Sequence, residues 1–146
     1  MSRAIVPIVE GYSEVASVPI LLRRILEREA AYSVQVAKPF RVKRNRVVKE
    51  GELERAIEQV VRSRSGAGGI LVLLDADDDC PPQNPEMIRG AKERLTKNMQ
   101  GQRYMEVDDQ PALAARMDLE LAKARCPSFE KFLRGVHFLI SEMTET

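Results

Sequence analysis

The sequence of 146 residues has no tryptophan, one histidine and two cysteines, and aromatic residues make up only 5% of it. Cys80 and Cys126 lie far apart, with no Cys-x-x-Cys pair and no histidine near either, so neither a zinc site nor a disulfide framework is indicated. No apolar run approaches the ~20 residues of a membrane span. The first residues, Met-Ser-Arg-Ala-Ile-Val-Pro, lack the pattern of a signal peptide. We therefore expect a cytoplasmic protein without a membrane segment.

Apolar and charged residues are abundant instead. Hydrophobic residues account for 44% and charged residues for 31% of the chain, which is typical of a globular protein. At this length we expect a single domain over residues 1–146. The net charge of +1 hides an uneven distribution. Residues 1–69 contain 13 Lys and Arg against 8 Asp and Glu, a balance of +5, whereas residues 70–146 contain 10 against 14, a balance of −4.

The basic excess is concentrated in one short segment, which we call the basic segment. Its six cations fall within twelve residues: Lys38, Arg41, Lys43, Arg44, Arg46 and Lys49. Such a cluster can form a patch that binds the phosphates of a nucleic acid. A solvated loop with disordered side chains is the alternative. Phe40 is the only aromatic residue here, so no ladder for base stacking accompanies the charges.

The periodicity of apolar residues predicts alternating strands and helices, followed by helices alone. In chain order we expect a strand over 3–9, a helix from Ser13 or Ser17 to about Ala31, a short strand over 32–36, a helix over 50–65, a strand over 70–74, and three helices over 85–99, 110–124 and 127–143. This order predicts an α/β fold of three layers, with a small, mostly parallel sheet in residues 1–85 and a C-terminal helical region in residues 86–146. Pro7 has no N–H to donate within a sheet, so the first strand is expected at an edge or at a bulge.

Apolar stripes indicate which helical residues belong to the core. They are Leu53, Ile57, Val60 and Val61 in the helix over 50–65; Leu113, Met117, Leu121 and Ala124 in the helix over 110–124; and Phe129, Phe132, Leu133, Val136, Ile140 and Met143 in the last helix. His137 borders the last stripe, and we interpret it as a structural rather than a catalytic residue.

The strand over 70–74 leads directly into a run of carboxylates. Ile70–Leu74 is apolar throughout, which predicts a strand buried on both faces, and Asp75, Asp77, Asp78 and Asp79 follow it. Open α/β sheets bind ligands at this end of their strands. Asp75 and Asp77 share a face and can hold one hard cation, and Asp75 needs a metal or a base because it abuts the buried run. For Asp78 and Asp79, a solvated loop or a helix N-cap stays open as the alternative.

A second carboxylate, Glu10, ends the first strand. Right-handed crossovers place parallel strands with their C-terminal ends on one edge, so Glu10, Asp75 and Asp77 are expected to converge there. Ligands that offer only oxygen favour Mg²⁺ or Mn²⁺ over zinc. Such an ion keeps coordination positions open for water and phosphate.

These residues carry a family resemblance. The segment Val9-Glu10-Gly11-Tyr12-Ser13-Glu14 resembles the first motif of Toprim domains, and Leu74-Asp75-Ala76-Asp77 resembles the second, the Asp-x-Asp pair. Toprim domains occur in topoisomerases, primases and the OLD (overcoming lysogenization defect) nucleases. The chain is most similar to an uncharacterised bacterial family of OLD-type Toprim-like proteins. That similarity extends to Pro19-x-Leu21-Leu22, to residues 75–81, to residues 108–118, and to Ala124-Arg125 and Ser128-Phe129.

The resemblance implies a Toprim-like (Rossmannoid) fold and a metal-dependent nuclease. Asp75 and Asp77 would be ligands of Mg²⁺ or Mn²⁺, with Asp79 as a third candidate. Glu10 would be a ligand or the general acid/base, and Glu14 a lesser catalytic candidate in the same corner. The implied reaction is hydrolysis of a phosphodiester in nucleic acid, with the cation activating water and neutralising charge on the phosphate.

The sequence departs from that family in one respect. Family members usually carry a helix, a strand and a Glu-x-Glu-x-Trp-like segment after the Asp-x-Asp strand, whereas only Cys80 to Pro85 stands there in this chain. Either the protein lacks that segment or the sequence as printed omits it. One alternative function is therefore a non-catalytic subunit that binds nucleic acid or a partner and works with an ATPase. A receiver-like signalling domain with Asp75 as phosphoacceptor is a third hypothesis, and homo-oligomerisation stays open.

Overall fold

The computed structural model describes residues 3–47, 49–64, 66–74 and 106–145. Within them the elements are β1 (Arg3–Val9), α1 (Tyr12–Arg28), β2 (Val34–Val36), β3 (Phe40–Arg41), α2 (Arg44–Val47), α3 (Glu52–Ser63), β4 (Ala67–Leu73), α4 (Glu106–Arg116), α5 (Leu119–Arg125) and α6 (Pro127–Thr144). The helix predicted over 85–99 lies outside the described residues. In the described part, no helix is both long enough and apolar enough to cross a membrane.

β1 is the central strand of a small sheet in which every pairing is parallel. β4 pairs with β1 from Ala4 to Val9 and so occupies one edge of it. β2 pairs with Arg3–Ile5 and β3 pairs with Ile8–Val9, so these two short strands lie in succession along the other edge. The predicted α/β fold with a small, mostly parallel sheet and C-terminal helices is confirmed.

Pro7 lies in the middle of this central strand and is fully buried, so the expected edge position is wrong. The Ile5 carbonyl accepts a hydrogen bond from the Ala37 N–H at 2.9 Å, and the Val9 carbonyl accepts one from the Val42 N–H at 2.8 Å. The backbone polar groups of alternate residues point to the same edge, so Pro7 also faces β2 and β3. Pro7 falls between the residues that pair with β2 and those that pair with β3. Its missing N–H therefore deprives neither strand of a donor.

Helices cover both faces of the sheet. Ile5 and Val9 of β1 are inaccessible to solvent and belong to a core that includes residues of α1, α5 and α6. Val6 and Ile8 are equally inaccessible and belong to a second core that includes residues of α3. Because side chains alternate between the faces of a strand, the two cores lie on opposite sides of β1. The sheet therefore lies between two helical layers.

The start of α1 differs from both predicted starts. The N-cap is Gly11, with an extended backbone (φ −102°, ψ 161°) and no side-chain cap. Ser13 and Ser17 lie inside the helix and are buried, so neither of the predicted N-caps is correct. Pro19 also lies inside the helix, where its ring removes one intrahelical hydrogen bond. The helix tolerates this loss with Pro19 buried in the interior.

β4 is less buried than its apolar sequence predicts. Its side chains from Ile70 to Leu73 are half-buried, and Leu74 is 45% exposed. The predicted burial on both faces is therefore wrong for these residues. Among the described strands β4 pairs only with β1, so one of its edges is left without a strand. In α3 the predicted core residue Val61 is likewise exposed, whereas Ala56 and Val60 form the buried side.

The helix predicted over 110–124 is two helices, α4 and α5, separated at Met117 and Asp118. Asp118 is the N-cap of α5, and its Oδ1 accepts a hydrogen bond from the Leu121 N–H at 3.0 Å. A carboxylate in this position satisfies one of the unpaired donors at a helix start. The first of the two helices, α4, begins at Glu106, before the predicted start, so Pro111 lies inside it.

Arg24 of α1 fixes the C-terminal end of α4. Its Nη1 donates to the Ala114 carbonyl at 2.7 Å, and its Nη2 donates to the Met117 carbonyl at 2.8 Å. A cation at this end satisfies otherwise unpaired carbonyls and opposes the helix macrodipole. Ala114 is buried there, whereas the predicted core residues Leu113 and Leu121 are each 47% exposed. The predicted apolar stripe is wrong because it assumes one continuous helix and so crosses the break between α4 and α5.

The last helix agrees with the sequence more closely. Pro127 is its first residue, and Leu133, Val136 and Met143 are buried in the core. His137 lies at the surface, with its Nε2 3.2 Å from Oε1 of Glu29 at the end of α1. This contact links α6 to α1, in agreement with a structural role.

The contact between β4 and α6 provides a test of the packing. Gly68 is the extra residue where the β1–β4 register shifts. A Cβ at Gly68 would lie 2.8 Å from the Cβ of Arg3 and 2.8 Å from the sulfur of Met143. The Cβ of Arg3 is attached to the backbone of β1 and cannot turn aside. We therefore expect Gly68→Ala to lower the free energy of unfolding, measured by urea titration, by about 1–3 kcal/mol.

The same substitution in α6 is the control. A Cβ at Gly135 would meet no atom within 4 Å. Alanine is favoured over glycine inside a helix by about 1 kcal/mol, so Gly135→Ala should raise the free energy of unfolding. Equal stabilities of the two variants would contradict the close approach at Gly68.

Candidate active site

The carboxyl ends of β1, β3 and β4 lie side by side, and we call this edge of the sheet the carboxyl rim. Val9, the last residue of β1, pairs with Leu73 of β4 on one side and with Arg41 of β3 on the other. Glu10 follows β1 and Leu74 follows β4, so both stand at this rim. Parallel α/β sheets bind ligands at this edge.

The three predicted metal ligands Asp75, Asp77 and Asp79 lie outside the described residues. Asp75 is the next residue in sequence after Leu74. Within the described ranges, no group of three or more His, Cys, Asp or Glu side chains is placed to hold a metal ion. Apart from Glu10, the ligands that the sequence predicts for this rim therefore belong to the segment after Leu74.

Glu10 has a defined backbone position at the rim. Its carbonyl accepts a hydrogen bond from Nε of Arg41 at 3.1 Å, while the Val9 carbonyl accepts from the Val42 N–H. Two hydrogen bonds therefore hold the end of β1 and its following turn beside the end of β3. The side chain of Glu10 is half-buried. This carboxylate is the one predicted catalytic group that directly extends the central strand.

Glu14 lies in the same corner but interacts with the helix start. Its carboxylate packs against Gly11, so closely that a Cβ at this glycine would collide with Oε2 of Glu14. The Ser13 hydroxyl donates to the same Oε2 at 3.2 Å. A carboxylate at the first turn of a helix is also favoured by the macrodipole. A larger residue at position 11 would therefore displace the Glu14 carboxylate from this position, and the described contacts of Glu14 are with the start of the helix.

Arg41 connects the basic segment with the acidic corner. Its guanidinium carbon lies 3.7 Å from the centroid of the Tyr12 ring, in addition to the Nε hydrogen bond to Glu10. Tyr12 is 73% exposed, and a cation over its face is attracted by the ring quadrupole. In the described part, no hydrogen bond from the two Nη groups of Arg41 is found. Those donors can reach an anion at the rim.

The remaining cations of the basic segment are presented to solvent. Lys38, Lys43, Arg46 and Lys49 are exposed, whereas Arg41 is half-buried at the rim. They lie on the loop before β3 and around the short helix α2. Arg44 begins α2, and its side chain lies outside the described residues. The segment is thus an exposed basic surface beside the rim, and nucleic-acid binding stays a prediction.

One contact at the rim was not predicted from the sequence: the stacking of Arg41 on Tyr12. Nothing in the sequence near Tyr12 indicates that an arginine 29 positions later stacks on its ring. The contact depends on β3 lying parallel beside β1. No periodicity or motif in the sequence indicates that these two strands are neighbours.

Comparisons with known proteins give no match: no family model matches the chain, no curated protein matches its sequence, and no solved structure matches its fold. The Toprim resemblance therefore rests on the sequence motifs around Glu10 and Asp75 and stays a prediction.

The pairing of Tyr12 with Arg41 can be measured by a double-mutant cycle. We expect Tyr12→Ala and Arg41→Ala each to lower the free energy of unfolding, with a coupling of about 0.5–1 kcal/mol between them. The control is the cycle of Arg41→Ala with Tyr32→Ala, because Tyr32 is equally exposed, at 79%, and precedes β2. A coupling near zero for Tyr12, or the same coupling for Tyr32, would contradict the stacking.

Proposed function

We propose that the protein is a Mg²⁺- or Mn²⁺-dependent phosphodiesterase of the Toprim type that hydrolyses nucleic acid at the carboxyl rim. The observation that supports this most is the parallel pairing of β1 with β4. Because Val9 pairs with Leu73, the residue after β1, Glu10, stands on the same edge as the chain that leads into Asp75. An antiparallel arrangement would have sent the two acidic motifs to opposite ends of the sheet.

The donor chemistry at the rim fits a hard cation. Glu10 supplies carboxylate oxygens from the described part, and Asp75 and Asp77 would add carboxylates from the segment after β4. Oxygen donors without imidazole or thiolate suit Mg²⁺ and Mn²⁺. We assign these three residues as the proposed ligands, with Asp79 as a further candidate. The bound ion would supply an activated water and neutralise charge on the scissile phosphate.

The other residues of the rim have separate roles in this proposal. The Nη groups of Arg41 would hold a non-bridging phosphate oxygen, since Nε and the Tyr12 ring already fix the guanidinium plane. Glu10, when it is not a ligand, would take the proton of the attacking water. Glu14 would position the turn at Gly11 instead of exchanging a proton, because its carboxylate is engaged there.

The proposal predicts metal-dependent cleavage that the rim carboxylates control. With Mg²⁺ or Mn²⁺, the wild type should cleave DNA or RNA, and Glu10→Gln and Asp77→Asn should each lower the rate by about 100-fold or more. Glu142→Gln is the matched control. Glu142 precedes Met143, which packs against Gly68 at the start of β4, the opposite end of the sheet. Its removal should leave cleavage unchanged.

Two results would contradict the proposed activity. One is cleavage by Asp77→Asn at the wild-type rate, which would assign the activity to another site or a contaminant. The other is the absence of cleavage by the wild type with either metal, in which case the non-catalytic subunit becomes the better hypothesis.

Binding of nucleic acid by the basic segment is tested separately from cleavage. Charge reversal by Arg44→Glu with Arg46→Glu should weaken binding at low salt. It should also reduce the slope of log affinity against log salt by roughly 0.9 for each phosphate that the variant no longer neutralises. Lys131→Glu with Arg134→Glu on α6 changes the net charge equally, on the opposite face of the sheet. Equal effects of the two double variants would identify a general charge effect instead of a binding surface.

A further inference from the structure

A basic cleft lies beside the carboxyl rim, between α3 and the segment that contains β3 and α2. Its volume is about 460 Å³, and four cationic side chains line it: Arg41, Lys43, Arg46 and Arg55. Glu52 is its single carboxylate, and Oε1 of Glu52 lies 3.1 Å from Nη1 of Arg55. Among the lining residues, three cations are therefore left without a neutralising carboxylate. The cleft is suited to an anion of more than one charge.

The rest of the lining indicates what the anion is attached to. Val42 and Ala56 are buried at 7% exposure each, and Phe40 is half-buried beside them, so the cleft has an apolar side. The amides of Asn45 and Gln59 offer both donors and acceptors. A flat group with polar edges fits such a lining. The volume falls within the range of roughly 300–1,000 Å³ that is usual for small-molecule sites.

Arg41 belongs to the cleft and to the rim at once. It lines the cleft, and its Nε donates to the carbonyl of Glu10. A ligand in the cleft therefore lies next to the position proposed for the scissile phosphate. This continuity distinguishes the cleft from a basic patch elsewhere on the surface.

We propose that this cleft binds a nucleotide with a terminal phosphate. The phosphate would lie between the cations Lys43 and Arg46, with Arg55 as a further donor beside its ion pair to Glu52, and the base would lie against the amides. A terminal phosphate carries close to two negative charges, whereas an internal phosphodiester carries one, so the unbalanced cations favour the terminal group. The nucleotide is either the phosphorylated end of a strand or a free mononucleotide. If the ligand is the end of a nucleic-acid strand, this proposal rests on the proposed function and deepens it. The cleft would then hold the terminal phosphate while the neighbouring phosphodiester reaches the rim.

The test measures binding in the presence of EDTA, so that no metal site contributes. The probes are a short fluorescent oligonucleotide with a 5′-phosphate and the same oligonucleotide with a 5′-hydroxyl, followed by anisotropy. The wild type should bind the phosphorylated probe about tenfold more tightly than the hydroxyl probe. Arg46→Ala and Arg55→Ala should each reduce this preference by a factor of about five. If adenosine monophosphate displaces the probe at a concentration similar to that of the unlabelled phosphorylated oligonucleotide, the ligand is a free nucleotide. If it does not displace the probe, the ligand is the end of a nucleic-acid strand.

Arg134→Ala is the matched control variant. Arg134, like Arg55, is an exposed helical arginine whose partner is a glutamate one turn earlier, Glu130 at 2.9 Å, but it lies on the α6 face. Equal affinity for the two probes, or an equal loss in Arg134→Ala, would overturn the proposal. Phosphate-dependent binding without any cleavage would contradict the proposed function alone. Cleavage without phosphate preference would contradict the cleft alone.

Discussion

The burial of β1 on both faces and its pairing on both edges is the constraint on which the rest of the structure depends. Ile5, Val6, Ile8 and Val9 are inaccessible to solvent, so the backbone between them has no water to bond to and needs a strand on each side. β4 satisfies one edge, and β2 with β3 satisfies the other. Because every pairing is parallel, the carboxyl ends of β1, β3 and β4 meet at one rim. The candidate site is a consequence of that pairing.

Local rules from the sequence were correct where a single element determines the outcome. The bounds of β1 and the buried stripe of α6 follow from apolar residues whose spacing repeats without interruption. The rules were wrong where distant residues decide. Pro7 suggested an edge position or a bulge, yet its strand is central, and the strand beside it is interrupted between Val36 and Phe40. Ser13 and Ser17 are good N-caps in isolation, but the helix starts earlier, where the Glu14 carboxylate packs against Gly11.

Exposure was predicted least well, for a physical reason. A run of apolar residues indicates that burying the segment is favourable. It does not indicate how many strands or helices the fold places against that segment. β4 is as apolar as β1, but among the described strands it has one partner and is half-buried. Leu113 and Leu121 were placed on one stripe because the sequence does not show that Asp118 starts a new helix and that Arg24 closes the preceding one. For the site, the roles of Glu10, Asp75 and Asp77 stay predictions, and the stacking of Arg41 on Tyr12 could be seen only in the fold.

The order of strands in the sheet also determines where the unevenly distributed charges of the sequence lie. β3 and β4 flank β1, so the basic segment contains the strand on one side of β1, and in the sequence the acidic run follows the strand on the other side. Arg41 marks the boundary, with its charge held at the rim by Glu10 and Tyr12. Cations arranged along a path attract a polyanion and orient it before contact. A phosphate chain attracted to the basic side would lie with its length pointing towards the carboxylates. There, repulsion between phosphate and carboxylate allows close approach only with a cation between them. In the proposed function, the surface that attracts the nucleic acid and the site that cleaves it would thus lie on opposite sides of β1.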